Sequence, residues 1–490
     1  MHQTPIDSMS ALTQRCHQAQ QNWAQQPLHQ RLKLIQQLRY QLIDCKDELC
    51  HAVELDLGRP SHETLPAELF GLAAACQFME KRASQILAPR KISRRDRPIW
   101  LFSQADWVYR RPRGVVAIIG TWNFPLYLNG IQIIQALVAG NGLVWKPSEM
   151  APHSAAALSR WLHRVEWPSD LFQVLPPERA YGAALLEADI DHLVFTGHVE
   201  TGRKIAQRLG ERLISSTLEL SGHDAMFVLE DAQLDLVVRA AWFGLTVNAS
   251  QTCIAVRRVL VSQPLANPLV ERLQNKLATA TPLHLVSSKQ IDHAKALIED
   301  AIAKGAQSIA PLPVLTSANQ QMPPIILTNV QPHMRIWQED LFAPVMTIVP
   351  FQSLEDALNL NQLCSFELGA SIFTQSPERA KQIAARLGVG QCTINDVVAP
   401  TAHPATPFGG RKASGWGTTQ GREGLLEMTI PQTVSLRHGS FRPHFEPPAS
   451  SRMTQPQFYE GIFRWEHART WKGRMKGLWQ MLRILLLGKA

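Results

Sequence analysis

The sequence lacks several patterns that identify common classes of protein. Its 490 residues contain no apolar run of about 18 residues, the length that a membrane-spanning helix needs. The segment before Cys16 has no apolar stretch of the kind found in secretory signals. The seven cysteines are odd in number and include no C-x-x-C pair, so a disulfide framework is not expected. These absences predict a cytoplasmic protein in a reducing compartment.

Nucleic-acid-binding signatures are also missing. There is no zinc-finger spacing and no RNA-binding aromatic motif, so we expect neither a metal site nor a nucleic-acid partner. Lysine and arginine number 49 against 41 aspartate and glutamate, a net charge of +8. Part of this excess lies at positions 90–97 and part in the C-terminal tail. Such a balance suits an anionic cofactor or an anionic lipid surface.

The patterning that is present predicts an α/β protein. Hydrophobic residues make up 45% of the chain and charged residues 18%, which is enough for two or three cores. Residues from about 8 to 88 have helical periodicity. From Gly114 onward, short apolar runs at 115–119, 142–147, 171–175 and 192–195 alternate with helical segments, which indicates a doubly wound parallel sheet. The pattern restarts at 225–229 and 259–261, which predicts a second such unit.

Three polar residues are candidates for chemistry. Cys253 follows a predicted helix among small polar residues, where nearby amides can lower the pKa of a thiol. Glu219 lies in an apolar run, and burial raises the pKa of a carboxyl group toward that of a general base. Asn123 lies in the turn after a buried strand, where its amide can donate to an oxyanion. Taken singly, each is more often a structural residue.

Together with their surroundings, these residues resemble the aldehyde dehydrogenase superfamily, most closely its class 3 branch. The resemblance covers roughly residues 20–440. It rests on seven motifs in the family's order, at 112–125, 146–149, 195–203, 219–222, 251–253, 339–345 and 407–415. The interval of 34 residues from Glu219 to Cys253 also agrees with the family. One such motif alone is weak, but the ordered set is specific.

The resemblance implies NAD(P)-dependent oxidation of an aldehyde to a carboxylic acid. Cys253 would attack the aldehyde, Asn123 would hold the oxyanion, and Glu219 would activate the water that hydrolyses the thioester. Lys146 and Glu149 would bind the adenosine ribose, and a carboxylate there favours NAD, with NADP possible. The implied cofactor-binding residues are Thr121, Trp122, Lys146, Glu149, Gly197, His198, Gly202, Leu220, Asp340 and Phe342. The family has no need of a G-x-G-x-x-G turn, which this chain lacks.

The resemblance also divides the chain into segments. We expect N-terminal helices of the cofactor domain at 1–98, a hairpin at 99–113, the NAD-binding domain at 114–218 and the catalytic domain at 219–395. A C-terminal segment at 396–440 would contain a strand near 433–436, and a linker and basic tail would occupy 441–490. The hairpin and that strand would form a small β flap for oligomerisation, so a homodimer is expected. The fold class is therefore an aldehyde dehydrogenase-like α/β fold.

The chain departs from the family at several positions. Ser221, Ser250 and Ala343 stand where the family usually has glycine, which would add strain wherever φ is positive. His198 replaces a small polar residue, His223 replaces a lysine, and Asp340 is one methylene shorter than the usual glutamate. These changes favour either an altered cofactor or substrate site, or, for the two histidines, simple surface or turn placement.

The tail is the second departure. Residues 462–490 interleave arginine and lysine with tryptophan and leucine, which predicts a basic amphipathic helix. It would lie on a membrane surface or pack on the protein body or a partner subunit. Three functions stay open at this stage: the dehydrogenase, a catalytically silent relative that acts as a scaffold, and a reductase that works from an acyl-thioester. The aldehyde itself cannot be read from the sequence, because pocket walls come from scattered loops.

Overall fold

The N-terminal helices form because apolar residues recur every three or four positions. The computed structural model describes residues 5–101, 103–316, 318–440, 442–445, 447 and 450–487, so Phe102 in the predicted hairpin and Lys489 in the predicted tail lie outside it. In the second helix the buried residues include Ile35, Leu38 and Leu42, as the periodicity predicts, but Ile43 is exposed. This helix ends at Gly58, whose φ of +66° suits glycine.

The described helices alternate with strands through most of the chain. The helices are α1 (Pro5–Gln25), α2 (Leu28–Leu57), α3 (Ser61–Thr64), α4 (Phe70–Ile86), α5 (Tyr127–Ala139), α6 (Pro152–Leu162), α7 (Arg179–Glu187), α8 (Val199–Glu211), α9 (Leu234–Thr246), α10 (Gln263–Leu277), α11 (Ser288–Ala303), α12 (Arg335–Gln338), α13 (Leu354–Gln362), α14 (Pro377–Ala384), α15 (Gly421–Glu427), α16 (Pro456–His467) and α17 (Trp471–Leu487). A π-helical turn at Leu65–Leu69 joins α3 to α4.

The strands are short, as the apolar runs predict. They are β1 (Arg90–Lys91), β2 (Gln104–Pro112), β3 (Val115–Ile119), β4 (Gly142–Lys146), β5 (Phe172–Val174), β6 (His192–Thr196), β7 (Ser215–Glu219), β8 (Asp224–Val228), β9 (Val256–Ser262), β10 (Leu283–His284), β11 (Gln307–Ser308), β12 (Gln321–Met322), β13 (Ile325–Thr328), β14 (Val345–Phe351), β15 (Phe366–Glu367), β16 (Gly369–Phe373), β17 (Gln391–Ile394), β18 (Arg411–Lys412), β19 (Gly415–Trp416) and β20 (Thr429–Arg437).

Two mainly parallel sheets confirm the predicted fold class. The first has the order β19-β7-β6-β3-β4-β5, in which only β19 is antiparallel to its neighbour. The second has the order β11-β13-β14-β9-β8-β16-β17, in which only β11 is antiparallel. One apolar cluster extends from Val115 and Leu193 in the first sheet to Phe227 and Ile372 in the second. Both sheets lie in one compact unit with Pro112–Ile430, so a domain boundary at 219 stays a prediction.

A second compact unit contains Leu87–Arg111 and the chain from Pro431 onward. Its sheet has the order β1-β2-β20. The predicted hairpin at 99–113 is therefore wrong: the aromatic alternation belongs to one strand, β2, which pairs with β1 and β20. The lone strand near 433–436 is real but longer and is paired.

The tail folds as a helical hairpin rather than as the single helix that its sequence predicts. The chain breaks at Ala468, where the backbone is extended, and α17 then returns along α16. Phe458, Met481 and Ile484 form the buried core between the two helices. In the described part of the chain, no helix combines the length and apolarity needed to cross a bilayer.

Candidate functional site

A cavity of about 360 Å³ opens at the carboxyl ends of β3, β6 and β7, the edge at which ligands bind in doubly wound sheets. It brings together the three predicted catalytic residues, although they come from remote parts of the chain. Seven of the predicted cofactor residues also line it. The shared lining comprises Asn123, Glu219 and Cys253 with Thr121, Trp122, Gly197, His198, Leu220, Asp340 and Phe342. Lys146, Glu149 and Gly202 are not on its wall.

Cys253 follows a loop with unusual backbone geometry. Asn248, Ala249 and Ser250 have φ of +51°, +52° and +64°, a conformation that residues other than glycine rarely adopt. The buried guanidinium of Arg257 holds this loop by donating to Ser250 O and Ser250 Oγ, each at 2.6 Å. Because of this loop, the Cys253 side chain enters the cavity and is only partly buried by its neighbours.

The thiol of Cys253 is neutral in this arrangement. Burial raises its pKa well above the ordinary value, and the negative charges of Glu219 and Asp224 raise it further. The backbone amides of Ile254 and Cys253 lower it, as the sequence suggested, but they do not outweigh the burial. A cation bound in the cavity would therefore strongly favour the thiolate, which is the reactive form.

Asn123 is held so that its amide nitrogen faces the nucleophile loop. Thr121 Oγ1 donates to Asn123 Oδ1 at 2.9 Å, which fixes the orientation of the carboxamide. Asn123 Nδ2 donates to Gln251 O at 3.1 Å, two residues before Cys253. The side chain of Asn129 braces the turn by accepting from Thr121 N at 3.0 Å. One Nδ2 hydrogen is thus in use, and the second can donate to a ligand.

Glu219 is the last residue of β7 and is 2% exposed. It is the register partner of both Thr196 and Gly415, so strands on either side enclose it. Burial raises its pKa to about 7, and bonds from the Thr419 and Thr196 hydroxyls oppose the rise. Thr419 Oγ1 lies 3.5 Å from Glu219 Oε2, while Glu219 Oε1 has no hydrogen-bond partner among the described residues. An unpaired buried oxygen at this pKa can accept a proton from water near neutral pH.

The residues beyond the cavity fit a dinucleotide. Lys146 ends β4 and pairs with Glu149 at 3.1 Å, and Glu149 also accepts from Arg179 at 2.6 Å. Burial opposes ionisation of Glu149, but these two cations lower its pKa below the ordinary value. A Cβ at Gly202 would lie 2.5 Å from Leu220, so this glycine lets the start of α8 approach the sheet. The N-terminus of a helix is suited to phosphate.

Three of the departures from the family contact one another. His198 Nε2 lies 3.2 Å from Asp340 Oδ1, and the Ser221 hydroxyl donates to Asp340 Oδ2. The bond to Asp340 raises the pKa of His198. Burial works to raise the pKa of Asp340, but the bonds from His198 and Ser221 bring it below the ordinary value. When its ring is neutral, His198 also caps α8, because Nδ1 then accepts from Glu200 N at 3.2 Å.

The remaining departures have different outcomes. Surface placement is wrong for His223, which is 2% exposed and stacks on Phe366. Burial and the nearby arginines Arg258 and Arg257 keep its pKa well below the ordinary value, so its ring is neutral. The predicted strain from a positive φ occurs at Ser250 but not at Ser221 or Ala343.

Sequence reasoning missed several residues that support this site. Thr196 and Thr419 contact Glu219, and neither has a signal of its own beyond lying next to a recognised motif. Arg257 and Arg258 did have a signal, because two adjacent cations inside an apolar strand are unusual. Both are buried, and Arg257 holds the loop that precedes the predicted nucleophile.

Comparisons with known proteins point to one family. The sequence profile of the aldehyde dehydrogenase family matches residues 3–434. A 4,4'-diapolycopene aldehyde oxidase from a Methylomonas species is 34% identical over 417 residues, which cover 84% of this chain and 78% of that protein. A protein from Mycolicibacterium smegmatis that carries a provisional succinate-semialdehyde dehydrogenase [NADP(+)] name is 30% identical over 442 residues, covering 88% and 84%.

Solved structures give the same result. The NAD⁺ complex of aldehyde dehydrogenase from Bacillus cereus superposes with a TM-score of 0.81 at 27% identity, covering 88% of this chain and 89% of that one. The chain therefore belongs to the aldehyde dehydrogenase family and is an oxidoreductase that oxidises aldehydes with NAD or NADP as the acceptor.

Proposed function

We propose that Cys253 is the nucleophile of this oxidation, Asn123 the oxyanion donor and Glu219 the general base. The observation that carries the proposal is the single cavity that all three side chains line. The Cys253 thiolate adds to the aldehyde carbon and forms a thiohemiacetal. Its oxygen, negative at first, is stabilised by the free amide hydrogen of Asn123 and by the backbone N–H of Cys253.

The bound cofactor supplies one piece of chemistry, an electrophilic nicotinamide that takes the hydride from the aldehyde carbon. The carbon then remains on Cys253 as a thioester. Glu219 accepts a proton from water, the hydroxide adds to the thioester, and the carboxylic acid leaves as the thiol is restored. The free oxygen of Glu219 supports hydrolysis rather than transfer to a second thiol.

For the cofactor we propose NAD rather than NADP. The Glu149 carboxylate, kept ionised by Lys146 and Arg179, suits a ribose hydroxyl and would repel a 2′-phosphate. Asp340 and Phe342 would contact the nicotinamide half, and the start of α8 with Gly197, His198 and Gly202 would contact the diphosphate. The cofactor would pass Thr121, Trp122 and Leu220 between its diphosphate and its nicotinamide.

The test is NADH formation across a series of aldehydes of increasing chain length. We expect activity in the wild type and none in Cys253→Ser, because a hydroxyl is a far weaker nucleophile at neutral pH. Cys392→Ser is the matched control, since Cys392 is also a partly buried thiol but does not line the cavity. NAD-linked oxidation by Cys253→Ser at the wild-type rate would refute the assignment, and a requirement for coenzyme A would indicate acyl transfer instead of hydrolysis.

We also propose that the protein is a homodimer that forms through β20. This strand is at the edge of its sheet, and Val434 and Leu436 are exposed on one face of it. An exposed apolar edge strand is a template for pairing with another chain. Light scattering on the purified protein would distinguish a dimer from a monomer.

Finally, we propose that this cytoplasmic enzyme contacts an anionic membrane surface through α17. Trp471, Met475, Trp479, Leu482 and Leu486 follow each other at helical spacing and are each 38–76% exposed, while the opposite face of α17 packs on α16. Lys472, Lys476 and Arg483 flank this exposed stripe. Residues 87–111 and 431–490 contain 17 lysines and arginines against 5 aspartates and glutamates, whereas the rest of the chain contains 32 against 36. Amphipathic helices with this layout lie in membrane interfaces.

A further inference from the structure

Arg59 connects the oxyanion turn to the nucleophile loop. It follows Gly58 at the end of α2 and is 5% exposed. Arg59 Nη1 donates to Asn123 O at 3.3 Å and to Asn248 Oδ1 at 3.1 Å. Asn123 follows a strand of the first sheet and Asn248 precedes a strand of the second. One guanidinium group therefore joins the turn that follows a strand of the first sheet to the loop that leads to Cys253.

The contacts around Arg59 close into a network. Asn248 Nδ2 donates to Asn123 O at 2.9 Å and to Gln251 O at 3.1 Å. Gln251 O also accepts from the side chain of Asn123, as described above. Hydrogen bonds that converge on two carbonyl oxygens, Asn123 O and Gln251 O, thus set the position of Asn123 relative to Cys253. Arg59 and Asn248 both donate to Asn123 O.

Glu68 anchors the other side of Arg59. Arg59 Nη2 and Glu68 Oε1 form a buried ion pair. Glu68 Oε2 accepts from Leu126 N at 2.6 Å and from Tyr127 N at 3.0 Å, at the start of α5. The pair thereby binds the oxyanion turn at its beginning, through Asn123, and at its end, through Leu126 and Tyr127.

The nucleophile loop needs such an anchor. Its three consecutive residues with positive φ, Asn248, Ala249 and Ser250, are in a conformation that persists only where surrounding contacts hold it. On the side away from Cys253, the loop faces an open cavity of about 510 Å³ that Arg59, Asn248, Ala249 and Gln251 line. Packing is therefore incomplete there, and hydrogen bonds from Arg59 and Arg257 take its place.

We propose that Arg59, held by Glu68, is a positioning residue that keeps Asn123 and Cys253 in register for the addition step. This inference rests on the roles proposed above for Asn123 and Cys253. Removing the guanidinium leaves the carbonyl of Asn123 with one fewer donor and frees the loop to relax. A displacement of about 1 Å between reacting groups can lower the rate about 100-fold.

The experiment compares Arg59→Ala and Arg59→Lys with Arg39→Ala. Arg39 is the matched control because it also forms a shielded ion pair, with Glu80 at 2.7 Å, but between α2 and α4 and away from the cavity. We expect kcat to fall about 100-fold in Arg59→Ala and less in Arg59→Lys, with KM and NADH affinity changed less than about threefold. Arg39→Ala should lower the melting temperature but leave kcat per folded molecule unchanged.

Guanidinium ions at tens of millimolar provide the decisive readout. The 510 Å³ cavity leads from solvent to Arg59, so the free ion can fill the vacated site and should raise the kcat of Arg59→Ala at least fivefold, with sodium chloride as the ionic-strength control. Unchanged kcat in Arg59→Ala, or a loss that tracks the unfolded fraction and is not rescued, would overturn the proposal. If Arg59→Ala does not fold, Arg59→Lys is the test: a lower kcat with nearly unchanged KM supports the proposal, and an unchanged kcat overturns it. Wild-type activity in Cys253→Ser would instead overturn the underlying assignment and not the role of Arg59 alone.

Discussion

His198 and Asp340 form a hydrogen-bonded pair in the cavity, with Nε2 and Oδ1 3.2 Å apart, and protonation of the ring makes the pair ionic. The pair joins the N-cap of α8, which the family resemblance places beside the pyrophosphate, to the loop before β14, which it places at the nicotinamide ribose. A carboxylate beside an imidazole favours the charged ring, which gives a direct test.

Asp340→Asn should lower the pKa of His198, because it removes the bond that raises this pKa. The upward shift of the His198 pKa also makes stability depend on pH. A raised histidine pKa stabilises the folded state at low pH, and this contribution is lost as the pH rises through the pKa of the folded state. The measurement is a histidine NMR titration with His198→Asn as the assignment control. An unchanged midpoint for His198 in Asp340→Asn would contradict the pairing.

Glu219→Gln should stabilise the folded protein at pH 8 while abolishing hydrolysis of the thioester. The pKa of Glu219 is about 7 in the folded state against an ordinary 4.5, so folding becomes less favourable as the pH rises between these values. At about 1.4 kcal/mol per pKa unit, the cost at pH 8 is about 3 kcal/mol. Thermal unfolding should show a higher melting temperature for the variant at pH 8 and little difference at pH 4. In the wild type, the deacylation rate should rise with pH through about 7, and the variant should show no such rise.

The same variant should make Cys253 more reactive toward iodoacetamide. The Glu219 charge raises the pKa of the thiol, second only to burial, so its removal favours the thiolate. The alkylation rate at pH 8 should therefore increase in Glu219→Gln, with Cys253→Ser as the blank. A decrease would mean that Glu219 instead takes the proton of the thiol in the resting enzyme.

Ser250→Ala should be less stable than Ser250→Gly. Both variants lose the hydroxyl that Arg257 contacts, but only glycine adopts a φ of +64° without strain. The difference should be about 1–2 kcal/mol in the free energy of unfolding, measured by urea denaturation. Ser221→Ala and Ser221→Gly are the matched pair, because φ is not positive at Ser221 and glycine should bring no such gain there.

How far the sequence predicts this structure depends on the range over which each signal acts. Helical periodicity and apolar runs are local, so α5, α11 and most strands are placed within a few residues. Cys253, Glu219 and Asn123 are found because their flanking motifs are distinctive. The contact of His198, Ser221 and Asp340 could not be predicted, because each is a lone substitution and only the fold brings them together. Neither glycine nor proline marks the break at Ala468, and its signal is the weaker one of Thr470, whose hydroxyl accepts from Gly473 N at the start of α17.

Trp471→Ala/Trp479→Ala should weaken binding to vesicles that contain phosphatidylglycerol. The two rings are 69% and 64% exposed on the stripe of α17, and losing both removes well over 1.4 kcal/mol of apolar burial, or at least about tenfold in affinity. Trp416→Ala is the matched control, because Trp416 is 48% exposed but lies in β19. Co-sedimentation should show tight binding to anionic vesicles, weaker binding to pure phosphatidylcholine, and partial loss in high salt as the Lys472, Lys476 and Arg483 contacts are screened. If the Trp471→Ala/Trp479→Ala and Trp416→Ala variants bind vesicles equally well, the exposed stripe is not the membrane contact. Binding to duplex DNA in place of vesicles would likewise assign the stripe to another partner.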